Sequence, residues 1–158
     1  MIFFKVLLFV SVAFWLGGLM FWSFIVLPIA FKSFPKAEAG RFVSVIFPAA
    51  DYWAVVFAVL TVTGLGGIFL GFYGTTEALM LEIPVGIMFL LTLHTAVVLH
   101  PRIQALRRKL QKQEFQETAH LDRIRFDFDR LHHRSVWIQM VIFILGFYVL
   151  GALPLLIP

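Results

Sequence analysis

Four long apolar runs, separated by shorter polar stretches, dominate the sequence. They cover about residues 4–31, 53–73, 78–100 and 136–157. A helix needs ~20 apolar residues to cross the hydrocarbon core of a bilayer, so each run can cross it, the longest with tilt. The pattern predicts an all-α membrane protein, a four-transmembrane-helix bundle that forms a single domain over residues 1–158.

The first apolar run has a competing interpretation as a cleaved signal peptide. Ser11-Val12-Ala13 resembles a small-x-Ala cleavage site. However, apolar sequence continues far beyond Ala13, whereas the hydrophobic region of a signal peptide is only ~7–15 residues long. An uncleaved first span is therefore favoured.

A short polar stretch follows the first span. Between Pro35 and Pro48, apolar residues recur at helical spacing opposite basic residues, which predicts a short interfacial helix. Asp51 is then the expected N-cap of a separate second span.

The longest polar stretch, residues 101–134, lies between the third and fourth spans. It carries two apolar stripes at helical spacing, one in each half. Two amphipathic helices packed as an antiparallel hairpin explain both stripes, with the turn near residues 113–117. Such a hairpin is a candidate docking surface for a membrane or cytoplasmic protein partner.

The distribution of basic residues predicts the orientation. Of the 13 Lys and Arg residues, all but Lys5 lie in the loops after the first and third spans. Positively charged loops remain in the cytoplasm. We therefore expect a multi-pass protein of the cytoplasmic (inner) membrane with both termini extracytoplasmic and a cytoplasmic hairpin.

Composition supports lipid as the main partner and excludes several chemistries. The chain is 61% hydrophobic and 14% charged, far from the usual soluble balance. With no cysteine, it has no disulfide, no thiolate nucleophile, no cysteine-ligated iron–sulfur cluster and no covalent c-type haem. The net charge of +4 is interpreted as topology and not as a nucleic-acid interface.

Polar residues from several segments are expected at one depth near the cytoplasmic side. They are Asp51, His100, Arg102, His132, Ser135 and Gln139. The last three recur at i, i+3 and i+7, so they share one helical face. One interpretation is a hydrogen-bonded packing cluster, and the other is a site for a small polar ligand, haem propionates or a cation.

Two further candidates lie deeper in the membrane. His94 is interpreted either as a neutral histidine bonded to a neighbouring helix, or as a ligand or proton carrier, and is expected to point inward. Trp15 over the notch at Gly18 is either packing or a flat slot for a planar ligand. Gly67 and Gly71 form a G-x-x-x-G pair that serves internal packing or a homo-oligomer interface.

Several short motifs resemble a known family. They are Phe14-Trp15-Leu16-Gly17-Gly18, Pro28, Phe31, Ala39-Gly40-Arg41, Phe47-Pro48, and Leu131-His132 followed by Ser135. Together they resemble the domain of unknown function 4149 family, related to transmembrane protein 205, over nearly the whole chain in layout. Family members often have Asn where this chain has Gln139.

Looser similarity extends to copper-resistance protein D and to HemJ-type protoporphyrinogen oxidases. The HemJ-type enzymes look to need a histidine in the first span, and this chain has none there, so their haem site and activity do not transfer. The leading hypothesis is a binding protein that holds haem b, a porphyrin or a metal ion among its helices. The alternatives are a small-solute or ion permease or accessory subunit, and a structural subunit of a larger complex. No residue is assigned a catalytic role.

Overall fold

The computed structural model describes residues 2–69, 76–112 and 118–156, and this part of the chain contains helices and no strand. The helices are α1 (Ile2–Met20), α2 (Leu27–Ser33), α3 (Lys36–Phe69), α4 (Thr76–His94), α5 (His100–Lys112) and α6 (Thr118–Leu156). Two π-helical segments, Phe21–Val26 and Thr95–Leu99, connect α1 to α2 and α4 to α5.

The π segments continue the helices on either side without a break, so the described chain forms four long rods. The first is α1 with α2, the second is α3, the third is α4 with α5, and the fourth is α6. Four stretches are long and apolar enough to cross a membrane: Ile2–Ser33, Glu38–Phe69, Leu79–Leu110 and Asp122–Pro154. Many large apolar side chains point away from the bundle, including Phe24, Leu90 and Ile144. The predicted all-α architecture with four membrane-spanning helices is confirmed.

The second rod corrects one prediction. α3 runs without a break from Lys36 through Pro48, so there is no separate interfacial helix. Asp51 consequently lies inside α3 and is not an N-cap. A proline removes one backbone hydrogen bond, yet its fixed φ suits a helix, and membrane helices tolerate the loss when neighbouring groups compensate.

The predicted hairpin of residues 101–134 is helical where it is described, but it is not a separate unit. α5 continues directly from the second π segment, and α6 is a single helix of 39 residues that also forms the fourth span. His100 contacts Ser135, and Arg107 contacts Phe128, so the two helices are antiparallel. The predicted turn at residues 113–117 lies outside the described residues, and the cytoplasmic location remains a prediction.

Tight glycine contacts hold α1 against α3 in antiparallel register. A Cβ atom on Gly64 would lie only 2.9 Å from the backbone nitrogen of Leu8, and one on Gly67 would overlap the ring of Phe4. Gly67 therefore serves packing within the chain, whereas Gly71 lies outside the described residues. Such close approach is what small residues allow in membrane helices.

α6 completes the bundle by packing against α1 and α4. The side chain of Leu16 fills the space beside Gly146, where a Cβ atom would overlap it. The core around this contact is apolar and includes Val12, Met88 and Val149, all fully buried. We call the end of the bundle that holds α5 and the first half of α6 the basic end, and the opposite end the far end.

Candidate functional site

At the basic end, three polar side chains from three rods form a hydrogen-bonded chain. Nδ1 of His100 lies 2.6 Å from Oδ1 of Asp51, and Nε2 of the same ring lies 3.2 Å from Oγ of Ser135. We call these three residues the polar chain. It links α3, the start of α5 and α6, which are far apart in sequence.

The contact with the carboxylate of Asp51 determines which ring nitrogen of His100 carries a hydrogen atom. An ionised carboxylate only accepts hydrogen bonds, so Nδ1 of His100 carries hydrogen and donates to Asp51. In the neutral ring, Nε2 then accepts the hydroxyl hydrogen of Ser135. In the protonated ring, Nε2 donates instead, and His100 forms an ion pair with Asp51.

The polar chain is largely enclosed but not sealed at Asp51. The side chain of His100 is 13% exposed and that of Asp51 is 20% exposed. The ring of Phe47, one turn before Asp51 on α3, meets the imidazole edge to face with centroids 5.0 Å apart. The imidazole is therefore oriented by three contacts, and the carboxylate is the more exposed member of the pair of Asp51 and His100.

Deeper in the bundle, three buried polar atoms have no hydrogen-bond partner among the described residues. They are Nε2 of Gln139, Oγ1 of Thr92 and Nε1 of Trp15, which we call the unpartnered donors. Gln139 lies ~6 Å beyond Ser135 along α6, and Thr92 roughly 12 Å before His100 along the third rod. A buried polar group without a hydrogen-bond partner destabilises the fold, so each of these three atoms is expected to bond to water or to a ligand.

Beyond Trp15 on the same face of α1, polar contact resumes at Ser11. Oγ1 of Thr61 on α3 lies 3.1 Å from Oγ of Ser11, and both side chains are fully buried. Toward the far end from this pair, the backbone of Leu8 packs directly on Gly64. Buried polar groups therefore extend from the basic end to about the middle of the bundle, and tight apolar packing follows.

The remaining predicted site residues lie elsewhere. His94, which was expected to point inward, is exposed, so that expectation is wrong. It lines an outer groove together with Arg102. The expectation that His132 faces the interior is also wrong, because His132 is exposed. Its ring stacks on the ring of Phe128, with an angle of 2° between the two ring planes.

Two side chains, those of Arg107 and Trp53, make contacts that were not predicted from the sequence. Nη1 of Arg107 donates to the carbonyl oxygen of Gly40 at 3.2 Å, and its guanidinium lies over the ring of Phe128. Gly40 lies in the motif Ala39-Gly40-Arg41, and this motif is the one sequence feature that pointed to the contact with Arg107.

The notch at Gly18 is filled by Trp53 and not by Trp15, and Nε1 of Trp53 donates to the carbonyl oxygen of Phe14.

The described residues provide no site that supports the haem, porphyrin or metal hypothesis. Both ring nitrogens of His100 are engaged by Asp51 and Ser135, so a metal bond would break one of these contacts. The described part of the chain has no group of three or more His, Asp or Glu side chains placed to hold a metal ion.

Carboxylate, imidazole and hydroxyl also occur in this order in serine hydrolases, but the local backbone differs. Acyl transfer requires hydrogen-bond donors aimed at the developing oxyanion. Ser135 lies in the interior of α6, where backbone N–H groups are bonded to carbonyls one turn earlier. The arrangement is suited to holding and moving a proton.

The fold and the polar chain define a multi-pass helical membrane protein with a buried polar interior at one end. The chain belongs to the family described as domain of unknown function (DUF4149), whose family model matches residues 10–112. The matched region includes Asp51 and His100 and ends before Ser135. No curated protein and no solved structure matches the chain.

Proposed function

We propose that the protein is a small permease, or the permease subunit of a complex, that moves protons alone or together with a small polar solute. The observation that carries this proposal is the hydrogen-bonded chain from Asp51 through His100 to Ser135. Ionisable groups inside membrane bundles commonly belong to proton relays and substrate pathways.

The geometry supports a relay that begins at the carboxylate. Asp51 is the more exposed partner of the pair, so we place the entry of the relay there. His100 receives a proton at one ring nitrogen and releases one at the other, while the hydroxyl of Ser135 donates and accepts. The imidazole therefore connects the exposed carboxylate with the interior of the bundle.

The unpartnered donors extend this path. Gln139, Thr92 and Trp15 offer N–H or O–H groups to water or to a solute that carries acceptor oxygens. Beyond them, the contact of Leu8 with Gly64 closes the far half of the bundle. Net transport along a path between α1 and α3 would require these two helices to separate at this contact.

Proton flux into vesicles tests the proposal. The purified protein is reconstituted into liposomes that contain a pH-sensitive dye, and a potassium gradient with valinomycin supplies the driving potential. We expect wild-type protein to raise the proton flux above that of empty liposomes. His100→Gln and Asp51→Asn should lower the added flux by roughly tenfold or more, in the range that loss of a proton-transfer group costs.

His133→Gln is the matched control, because His133 is exposed and its Nδ1 contacts only the carbonyl oxygen of Asp129 on its own helix. This variant should conduct like wild type. A wild-type flux equal to that of empty liposomes would refute proton movement by the protein alone, and an equal loss in the His133 variant would refute the role of the polar chain.

The other hypotheses make different predictions. A Soret absorption band in the purified protein would favour the binding of haem or a porphyrin. Co-purification of a stoichiometric protein partner, without proton flux, would favour a structural subunit that docks through residues 101–134.

A further inference from the structure

A groove runs along the outer seam between the third rod and α6, away from the polar chain. It consists of two adjoining depressions of about 420 and about 290 Å³. Arg102, Leu131 and Arg134 line both depressions, so the two form one continuous groove. We call it the seam groove.

The part of the seam groove nearer the basic end is strongly cationic. Its charged lining residues are Arg102, Lys109, Arg130, Arg134 and the single carboxylate Asp127. All five are exposed. The ion pair of His100 with Asp51 is the one salt bridge among the described residues, so none of these four cations is paired with a carboxylate there.

The other part of the seam groove is lined mostly by apolar residues, and His94 also lines it. Val98, Ile138 and Trp137 line it, and Trp137 is 68% exposed. Tryptophan side chains concentrate at the level of the lipid headgroups, and arginine side chains reach toward the same level. Along its length the seam groove thus passes from a cationic to a mostly apolar lining, in the same order as the headgroup and acyl chain of a lipid.

We propose that the seam groove binds an anionic phospholipid. Its phosphate lies between the guanidinium groups of Arg102 and Arg134, and one acyl chain lies along Val98 and Trp137. Charge complementarity selects an anionic headgroup, since basic pockets between membrane helices bind such headgroups. Guanidinium groups bind phosphate oxygens through paired hydrogen bonds. The apolar continuation selects a lipid over a soluble anion.

Native mass spectrometry of the full chain tests the proposal. The protein is titrated with phosphatidylglycerol or with phosphatidylcholine carrying the same acyl chains. We expect wild-type protein to retain phosphatidylglycerol preferentially. The double variant Arg102→Gln with Arg134→Gln should weaken that binding by roughly tenfold or more, as expected for two basic residues at a lipid surface.

The double variant Arg123→Gln with Arg125→Gln is the matched control. Both residues are exposed on α6, neither lines the seam groove, and the net charge changes by the same amount. This variant should keep the preference for phosphatidylglycerol. Circular dichroism verifies that both double variants remain helical, so that a lost lipid preference reports binding.

Three outcomes would overturn the proposal. Equal weakening in both double variants would mean that diffuse surface charge attracts the lipid. Equal retention of the two lipids by wild-type protein would mean that no headgroup is selected. Displacement of phosphatidylglycerol by millimolar inorganic phosphate, with phosphate bound in its place, would assign the site to a soluble anion.

Discussion

The imidazole of His100 lies 2.6 Å from the carboxylate of Asp51, although the two residues are 49 positions apart in the sequence. This contact joins two rods at the level where the basic end begins. Ser135 adds a third rod through the other ring nitrogen. A single imidazole therefore fixes the relative positions of three helices and offers a route for a proton between them.

The coupling between Asp51 and His100 is testable by a double-mutant cycle. Asp51→Asn and His100→Gln should each lower thermal stability in detergent, and the double variant should lose less than the sum. A hydrogen bond to a charged group contributes about 1.5–3 kcal/mol, so the coupling energy should reach at least ~1 kcal/mol. Strictly additive losses would mean that the contact contributes nothing to stability.

Gly64→Ala should destabilise the bundle by about 1–3 kcal/mol, the usual cost of overpacking. Its new methyl group meets the backbone of Leu8, which cannot move aside as a side chain can. Gly66→Ala is the matched control on the same helix, because a Cβ atom there has no neighbour within 4 Å. Melting curves in detergent compare the two, and similar curves would refute the proposed register of α1 on α3.

Thr61→Val should lower stability by about 0.6–1.7 kcal/mol, the range found for hydrogen bonds between membrane helices. The substitution keeps the shape of the side chain and removes its contacts with Oγ of Ser11 and with the carbonyl oxygen of Phe57 on its own helix. Thr63→Val provides the comparison, since the exposed hydroxyl of Thr63 bonds only to the carbonyl oxygen of Val59 on its own helix. A loss at position 63 as large as that at position 61 would show that the contact between helices is not responsible.

The chain has no cysteine, so a single introduced cysteine can report its orientation without interference from native thiol groups. A cysteine at Ile2, which is 79% exposed, should react with an impermeant maleimide added to whole cells. A cysteine at exposed Arg108 should react only after the cells are opened. If the cysteine at position 108 reacts in whole cells and the one at position 2 does not, the predicted orientation is wrong, because the basic residues would then lie outside the cytoplasm.

The helical class, the four spans and the family were predictable because they depend on properties that accumulate along the chain. Twenty or more apolar residues in a row specify a membrane helix whatever its neighbours are. The prediction of a helix boundary at Pro48 is wrong, because α3 continues through this proline. Local propensity is a weak guide there, since packing against other rods compensates for one missing backbone bond.

The candidate site was predictable in composition but not in geometry. Asp51, His100 and Ser135 were expected at one depth, because depth follows from position along each span. Their contacts depend on the rotation of each helix about its axis. Near His100 that rotation is altered by the π segment Thr95–Leu99, which no sequence signal marked.

The sequence by itself therefore determined that this chain is a bundle of four membrane-crossing helices with its basic residues gathered in two stretches, after the first and the third apolar runs. Only the tertiary structure decided which polar residues meet. It turned His94 and Arg102 to the seam groove and His132 to the surface, and it brought Asp51, His100 and Ser135 together inside. The physical reason is that hydrophobicity sets the depth of a residue, whereas side-chain packing between helices sets the direction in which it points.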